Sequence, residues 1–154
     1  MTQLNLPAYE FRIRGTESSP EIFDDIRKKF VALTPEEWVR QNLIRYLTAD
    51  KRYPATLIAV EMPLDLGGTV QRSDVVLYQP SGKPLLIVEC KAPEVEINQQ
   101  VFDQVAAYNT KIGAEYILVS NGLRHFCCRS DAENKRYVFL KEIPSYDEIM
   151  NGQH

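Results

Sequence analysis

Residues 74–91 read DVVLYQPSGKPLLIVECK, two apolar runs joined by a loop that contains Pro, Ser and Gly. Both runs are rich in β-branched and other large apolar residues, which favour strands buried in a sheet. The loop QPSGKP between them suits a hairpin. The sequence therefore predicts two antiparallel strands, residues 74–78 and residues 85–91.

Antiparallel pairing of these strands brings charged side chains together at one end. If Tyr78 pairs with Leu85, Asp74 lies directly opposite Glu89, because the numbers of paired residues keep a constant sum. Directly opposed side chains point to the same face of a sheet, and Lys91 shares that face because it lies two residues beyond Glu89. A slip of one residue in the register would break this geometry. We expect two carboxylates and a lysine to converge at one end of the hairpin.

The residues after the hairpin predict a crossover connection. Apolar residues repeat at helical spacing over residues 97–112, and Gly113 follows as a common helix end. The run YILVS at residues 116–120 is typical of another buried strand. A strand, a helix and a second strand in this order require the two strands to be parallel, with a right-handed connection.

A second helix is predicted before the hairpin. Thr34 is placed as its N-cap, Pro35 as its first residue, and Glu37 completes a capping box. The helix should run to about Leu47. On a helical wheel, Glu36 projects near the centre of the apolar stripe. We therefore expect the carboxylate of Glu36 to point toward the core.

The remaining predicted elements complete a sheet. They are a strand at residues 9–14, a short helix at residues 19–30, and strands at residues 56–62, 125–129 and 137–142. The strand at residues 56–62 and the two strands of the hairpin form a meander. The predicted fold is a single α/β domain with a central mixed β-sheet flanked by helices.

Composition and charge are typical of one globular domain outside the membrane. The chain has 154 residues with 44% hydrophobic residues, a length at which one core needs no disulfide. No apolar run approaches the roughly 18 residues of a membrane span and no signal pattern opens the chain, so we expect a cytoplasmic protein. The formal net charge of −3 is accounted for by residues 61–100, which hold 3 basic and 6 acidic residues. Carboxylates concentrated in core strands need a cation beside them.

The paired carboxylates predict a metal site. Like charges as close as those of Asp74 and Glu89 repel each other unless a cation lies between them. Oxygen ligands without histidine or thiolate favour Mg²⁺, with Mn²⁺ as a substitute. Such an ion neutralises a phosphate and lowers the pKa of water, while the Lys91 ammonium assists the attacking water or stabilises developing charge. This is the chemistry of phosphodiester hydrolysis.

The order of these residues resembles a known superfamily. Asp74, followed about fifteen residues later by Glu89-Cys90-Lys91, is similar to the D…(D/E)xK signature of PD-(D/E)xK nucleases. Gln104-Val-Ala-Ala-Tyr108 is similar to the QxxxY motif of the RecB-like branch. More narrowly, residues 8–142 resemble the N-terminal nuclease domain of type I restriction enzyme R subunits, through the runs IFDDIRKKFVALTPEEWVRQNLIRYL, RSDVVLY, LLIVECKAP and YILVSNGLRHF. The resemblance implies a restriction-endonuclease-like core within a single domain, residues 1–154.

The resemblance also implies roles for the matching residues. These are Asp74 and Glu89 as metal ligands, the Cys90 backbone carbonyl as a third ligand, Lys91 as the catalytic lysine and Gln104 as a positioning residue. A glutamate of the first helix is implied as an outer ligand. Glu36 is the better candidate because it faces the apolar stripe, whereas Glu37 fits the capping box. Glu61 is a further candidate, although an exposed charge at a strand end explains it as well.

Several residues are candidates for contacts with DNA. Basic side chains bind phosphates, and the candidates are Arg27, Lys28, Lys29 and Arg124, with Tyr108 of the QxxxY motif. Scattered basic residues also form ordinary solvated surface. This alternative stays open.

The function implied is that of a metal-dependent DNA endonuclease domain. In type I enzymes the nuclease is fused to an ATP-driven translocase, and no Walker-type GxxxxGK[ST] sequence occurs here. Either the translocase lies on a separate polypeptide or this chain is a stand-alone relative. The candidate partners beside DNA are therefore a helicase or translocase, or restriction-modification subunits. Two alternatives stay open. One is a non-catalytic module that keeps the nuclease fold to bind nucleic acid or protein, and the other is a structural domain whose carboxylates pair with Lys91 and Arg72.

Overall fold

The computed structural model describes the backbone of residues 1–66 and 69–152, and their side chains outside residues 61–73. The strands are β1 (Ile13–Gly15), β2 (Pro20–Asp24), β3 (Lys29–Ala32), β4 (Ile58–Leu66), β5 (Thr69–Tyr78), β6 (Pro84–Cys90), β7 (Tyr116–Ser120), β8 (His125–Asp131) and β9 (Arg136–Leu140). The helices are α1 (Pro35–Arg45), α2 (Gln99–Ile112) and α3 (Tyr146–Met150). Strands β4 to β9 form a six-stranded sheet in chain order, and β1 to β3 form a separate three-stranded sheet. The predicted α/β fold with a central mixed sheet is confirmed.

The β5–β6 hairpin has the predicted register over most of its length. Val75 pairs with Val88, as the constant sum requires. The pair from which that register was predicted is wrong, because Tyr78 lies opposite Pro84 rather than Leu85. The loop closes on itself through a hydrogen bond between its first and fifth residues, which shifts the ladder by one residue at the turn. The shift lies at the loop end, so the register at the charged end is kept.

The crossover after the hairpin is also confirmed. β6 and β7 are parallel neighbours, and α2 connects them. The helix begins at Gln99 rather than at residue 97, because the side chain of Asn98 caps it by accepting a hydrogen bond from the Val101 N–H at 3.0 Å. Gly113 ends the helix with a φ of 76°, a left-handed conformation that glycine adopts without strain.

Two apolar clusters hold the long helices on opposite faces of the main sheet. From Leu86 to Val88, successive residues of β6 belong to different clusters, because successive side chains of a strand point to opposite faces. Leu86 and Val88 pack in the cluster that contains Leu43 of α1, whereas Ile87 packs in the cluster that contains Val105 of α2. Full burial of such a side chain contributes roughly 1.5–3 kcal/mol. The packing of β6 therefore fixes a helix on each side of its charged end.

The first helix begins where the sequence predicts. The Thr34 hydroxyl accepts a hydrogen bond from the Glu37 N–H at 3.0 Å, and Pro35 is the first helical residue. The second half of the predicted capping box is wrong, because the Glu37 carboxylate bonds to other side chains of the fold. The α-helix ends at Arg45, two residues early, and is followed by a π-helical turn over Tyr46–Asp50.

The first thirty residues differ from the prediction. The strand predicted at residues 9–14 is reduced to β1, and the helix predicted at residues 19–30 is instead the β2–β3 hairpin. Asp24 builds its turn, because one carboxylate oxygen accepts hydrogen bonds from the N–H groups of Ile26 and Arg27 at 2.8 and 2.9 Å. Such side-chain bonds to the backbone compete with helix formation.

The strand predicted at residues 116–120 is confirmed with the same ends, as β7, and the other predicted strands are confirmed with shifted ends, as β4, β8 and β9. The three cysteines, Cys90, Cys127 and Cys128, are buried and free. Within the described part of the chain, no helix is long and apolar enough to cross a membrane.

Replacing Thr34 by Ala should lower the free energy of unfolding by about 1 kcal/mol, because the first turn of α1 loses its side-chain cap. Urea unfolding followed by circular dichroism measures the change. Thr34→Ser keeps the hydroxyl and should stay near the wild-type value. An equal loss in Thr34→Ser would contradict the capping explanation.

Candidate active site

The charged end of the β5–β6 hairpin brings the predicted residues together. Asp74 and Glu89 are the next residues beyond the last ladder pair of the two strands. One oxygen of Asp74, Oδ2, accepts a hydrogen bond from the backbone N–H of Cys90 at 2.7 Å. Lys91 Nζ lies 3.3 Å from Glu89 Oε1. Two carboxylates and a lysine therefore meet where the pairing of β5 with β6 ends, as the register predicts.

Burial sets the electrostatics of this group. Glu89 is 8% exposed, and burial, followed by the negative charge of Asp74, raises the pKa of Glu89 to about 7 although Lys91 favours its ionised form. Burial alone would lower the pKa of Lys91, but Glu89 and Asp74 raise it. The ammonium therefore stays charged at neutral pH. The second oxygen of Glu89, Oε2, is buried and has no hydrogen-bond partner among the described residues.

A buried arginine joins the site from α1, and the sequence reasoning missed it. Arg40 is 5% exposed, and its Nη2 donates to Asp74 Oδ1 at 2.7 Å while its Nη1 donates to Glu37 Oε1 at 2.5 Å. A signal was present in the sequence, because Arg40 lies one turn before Leu43 and Ile44 on the apolar side of the helix. A cation at that position needs buried carboxylate partners.

The prediction that Glu36 points toward the core is wrong. Glu37 is the buried residue, at 6% exposure, whereas the side chain of Glu36 is 46% exposed. The Glu37 carboxylate can be buried because Arg27, Arg40 and Gln41 all donate hydrogen bonds to it. Glu36 lies at the edge of the site, 3.7 Å from Arg40 Nη2.

Glu36 nevertheless interacts electrostatically with the carboxylates of Asp74 and Glu89. Burial, followed by the charge of Asp74, raises the pKa of Glu36, whereas Arg40 and Lys91 lower it. The charge of Glu36 in turn contributes to the raised pKa of Glu89. The two glutamates of the first helical turn thus have different surroundings. Glu36 interacts with the hairpin carboxylates, and Glu37 bonds to internal donors.

The residues of the QxxxY pattern lie on α2. Gln104 is exposed and Tyr108 is half-buried. Gln104 does not lie on the buried face of the helix, because the buried residues of α2 are its neighbour Val105 and Asn109. The Asn109 amide has a structural role, since it donates to the Ala114 carbonyl at 2.8 Å and accepts from the Ala114 N–H at 2.9 Å.

The basic residues predicted to contact DNA differ in how exposed their side chains are. Lys28, Lys29 and Arg124 are exposed. Arg27 differs from them, because its side chain is 16% exposed and forms ion pairs with Asp24 and Glu37. The Arg27 guanidinium therefore pairs with internal carboxylates and is not part of a solvated basic surface. The side chains of Glu61 and Arg72 lie outside the described residues.

The donor set suits a divalent cation held by two carboxylates. In the described part of the chain, no cluster of three or more His, Cys, Asp and Glu side chains is arranged to hold a metal. Mg²⁺ usually binds through one or two carboxylates and keeps several waters. The unpartnered Oε2 of Glu89 is an acceptor of the kind it needs. Both oxygens of Asp74 already accept one hydrogen bond, but each retains a second lone pair.

The sequence matches one family model. Residues 35–144, more than half of the chain, match the family described as type I restriction enzyme R protein N terminus. The match includes α1, the β5–β6 hairpin and α2. It therefore covers the charged residues of the candidate site, which are Glu36, Glu37, Arg40, Asp74, Glu89 and Lys91. No curated protein matches the chain significantly in sequence.

The fold is similar to that of a solved structure, a fragment described as an HsdR subunit of a type I restriction enzyme from Vibrio vulnificus YJ016. The TM-score is 0.54 and the sequence identity is 20%. The alignment covers 77% of this chain and 25% of the other. The aligned part of the present chain thus spans about a quarter of that solved fragment.

Glu89 makes a testable contribution to the pH dependence of stability. Its raised pKa means that the folded chain binds this proton more strongly than the unfolded chain, so folded-state stability falls as pH rises from about 4.5 to about 7. Glu89→Gln lacks this titration. Its free energy of unfolding should therefore rise relative to wild type across that range, by on the order of 2 kcal/mol. Urea unfolding in EDTA at several pH values measures the difference.

The control is Glu94→Gln, which changes an exposed glutamate close in the chain and should follow the wild-type pH profile. A difference between Glu89→Gln and wild type that is constant at every pH would show that Glu89 titrates normally.

Proposed function

We propose that this chain, which belongs to the family of type I restriction enzyme R protein N termini, is a metal-dependent DNA endonuclease domain. The proposed reaction is hydrolysis of a phosphodiester bond with Mg²⁺, or with Mn²⁺ as a substitute. The observation that supports it most directly is the convergence of Asp74, Glu89 and Lys91 at one end of a single hairpin.

The carboxylates have the binding role in this proposal. Asp74 and Glu89 would hold the cation, with the Cys90 backbone carbonyl as a third protein ligand. When bound, a divalent cation neutralises phosphate charge and supplies water of lowered pKa. We assign the outer ligand to Glu36 rather than Glu37, because Glu36 is partly exposed and interacts with Asp74, whereas Glu37 already accepts from three internal donors.

Lys91 is the proposed catalytic cation. Its ammonium stays protonated because Glu89 and Asp74 raise its pKa, and 28% of its side chain is exposed to an approaching substrate. It can donate to the attacking water or to a non-bridging phosphate oxygen, where negative charge grows in the transition state. Gln104 is proposed to position the substrate through its exposed side-chain amide.

DNA is the proposed substrate, with contacts from the exposed Lys28, Lys29 and Arg124 and from Tyr108. The net charge of −3 opposes tight binding by this domain alone, because nonspecific affinity for DNA comes mainly from cationic contacts with phosphates. We therefore propose that a helicase or translocase, or other restriction-modification subunits, supply most of the affinity.

One observation favours a second candidate function, a non-catalytic module that retains the nuclease fold and binds nucleic acid or protein. Both oxygens of Asp74 and one oxygen of Glu89 already have protein partners. In that case Arg40 and Lys91 are the permanent counterions, and no cation is needed. Binding of a divalent metal distinguishes the two candidates, because only the nuclease requires it.

Lys91→Ala should reduce metal-dependent nicking of supercoiled plasmid by at least about 100-fold, the usual effect of removing one preorganised donor to transition-state charge. Nicking by wild type is measured in parallel with Mg²⁺, with Mn²⁺ and with EDTA. The matched control is Lys111→Ala, which removes an exposed lysine in the last turn of α2 and should nick like wild type. Nicking by Lys91→Ala at the wild-type rate would refute the assignment.

Mn²⁺ should raise the thermal stability of wild type, because a ligand selective for the folded state stabilises it. The expected gain is about 2.7 kcal/mol at a concentration 100 times the dissociation constant. Asp74→Asn and Glu89→Gln should lose most of this gain. Asp131→Asn, which changes a carboxylate at the far end of β8, should keep it. An unchanged wild-type melting temperature at every Mn²⁺ concentration would favour the non-catalytic module.

A further inference from the structure

Charged side chains of alternating sign connect the β2–β3 hairpin with the Asp74 carboxylate of the β5–β6 hairpin. Arg27 bridges Asp24 and Glu37, with Nε 2.5 Å from Asp24 Oδ2 and Nη2 3.2 Å from Glu37 Oε1. Arg40 bridges Glu37 and Asp74, at 2.5 and 2.7 Å. The order is Asp24, Arg27, Glu37, Arg40 and Asp74. Residues from two sheets and one helix are therefore linked by ion pairs.

Most of this network lies in the interior. Asp24 is fully buried, Glu37 is 6% exposed and Arg40 is 5% exposed. Burial alone would lower the pKa of the Arg40 guanidinium, but Glu37 and Asp74 raise it. Arg40 therefore remains a cation at every pH where the protein is folded. Ion pairs out of water are less screened by salt than surface pairs and hold a more defined geometry.

The network fixes the orientation of the Asp74 carboxylate. Oδ2 of Asp74 accepts from the Cys90 N–H, which belongs to β6, and Oδ1 accepts from Arg40, which belongs to α1. Donors on two different elements thus hold the two oxygens. Without Arg40, one oxygen keeps its partner and the carboxylate can rotate about that contact. Arg40 itself is held by Glu37, which Arg27 and Gln41 hold in turn.

We propose that Arg40 is a positioning residue of the cation site, which orients Asp74 for the metal and at the same time weakens metal binding through its own positive charge. The inference rests on the proposed function, since it concerns the same site. The two effects have opposite consequences, because a fixed Asp74 favours the reaction whereas a nearby cation opposes the binding of another cation.

Arg40→Met tests both effects together. Removing one positive charge at hydrogen-bond distance from a metal ligand should lower the dissociation constant for Mn²⁺ by at least about tenfold. The misoriented Asp74 should reduce nicking at saturating Mn²⁺ by roughly 100-fold. Mn²⁺ binding is measured without DNA, from the electron paramagnetic resonance signal of the free ion, and nicking is measured on supercoiled plasmid. A residue needed only for folding would weaken binding and nicking together.

Two further variants separate charge from geometry. Arg40→Lys keeps the positive charge, but one ammonium does not reproduce the fork that reaches two carboxylates. It should bind Mn²⁺ with nearly the wild-type constant and still nick slowly. Arg45→Met is the matched control, because Arg45 lies on the same helix and forms an ion pair with the exposed Asp25. It should resemble wild type in both measurements.

Arg40→Met leaves the buried Glu37 without its closest partner, so it is accompanied by the double variant Glu37→Gln with Arg40→Met, which removes both charges of that pair. Compared with Glu37→Gln alone, the double variant should again bind Mn²⁺ more tightly and nick more slowly. Unchanged Mn²⁺ binding in Arg40→Met and in the double variant, or weaker binding in step with slower nicking, would overturn the inference. Wild type that neither binds Mn²⁺ nor nicks would instead refute the proposed nuclease.

Discussion

The repulsion between Asp74 and Glu89 is the constraint to which the rest of the site responds. Glu89 is nearly buried, and its pKa is raised to about 7 by burial and by the charge of Asp74. Two such groups stay together only if cations oppose them. The fold supplies Lys91 from the end of β6 and Arg40 from α1. The position of α1 against the sheet is therefore a condition for the site as well as for the core.

The two apolar clusters of the main sheet fix the position of α1. Because neighbouring side chains of β6 enter different apolar clusters, α1 and α2 are held on opposite faces of the strand whose end bears the charged residues. The three-stranded sheet contributes from outside the main sheet, since Arg27 beside Asp24 binds Glu37, and Glu37 binds Arg40. Changes in the β2–β3 hairpin can thus reach Asp74 through ion pairs, without direct contact.

The hairpin and the crossover could be predicted because local pattern determines them. β-branched runs and a turn-forming loop predict β5 and β6, and a helical stripe ended by Gly113 predicts α2 and the parallel β7. The β2–β3 hairpin was not predicted, because two backbone hydrogen bonds to the Asp24 side chain form a turn within the stretch that was expected to be helical. Glu36 and Glu37 were exchanged for a related reason. A helical wheel built on the apolar residues does not include the polar donors of the interior, and Arg27, Arg40 and Gln41 together satisfy the buried Glu37 carboxylate.

The charge count around the site bears on how a cation and DNA would bind together. Three carboxylates, those of Glu36, Asp74 and Glu89, face two cationic side chains, Arg40 and Lys91, so the group is only slightly negative before any ion binds. A divalent cation would offset this negative charge. The negative phosphate of a nucleic acid would then be attracted to a site that otherwise repels it. Binding of the cation and of the phosphate should therefore favour each other, and weak metal binding without DNA would be the expected property of such a site.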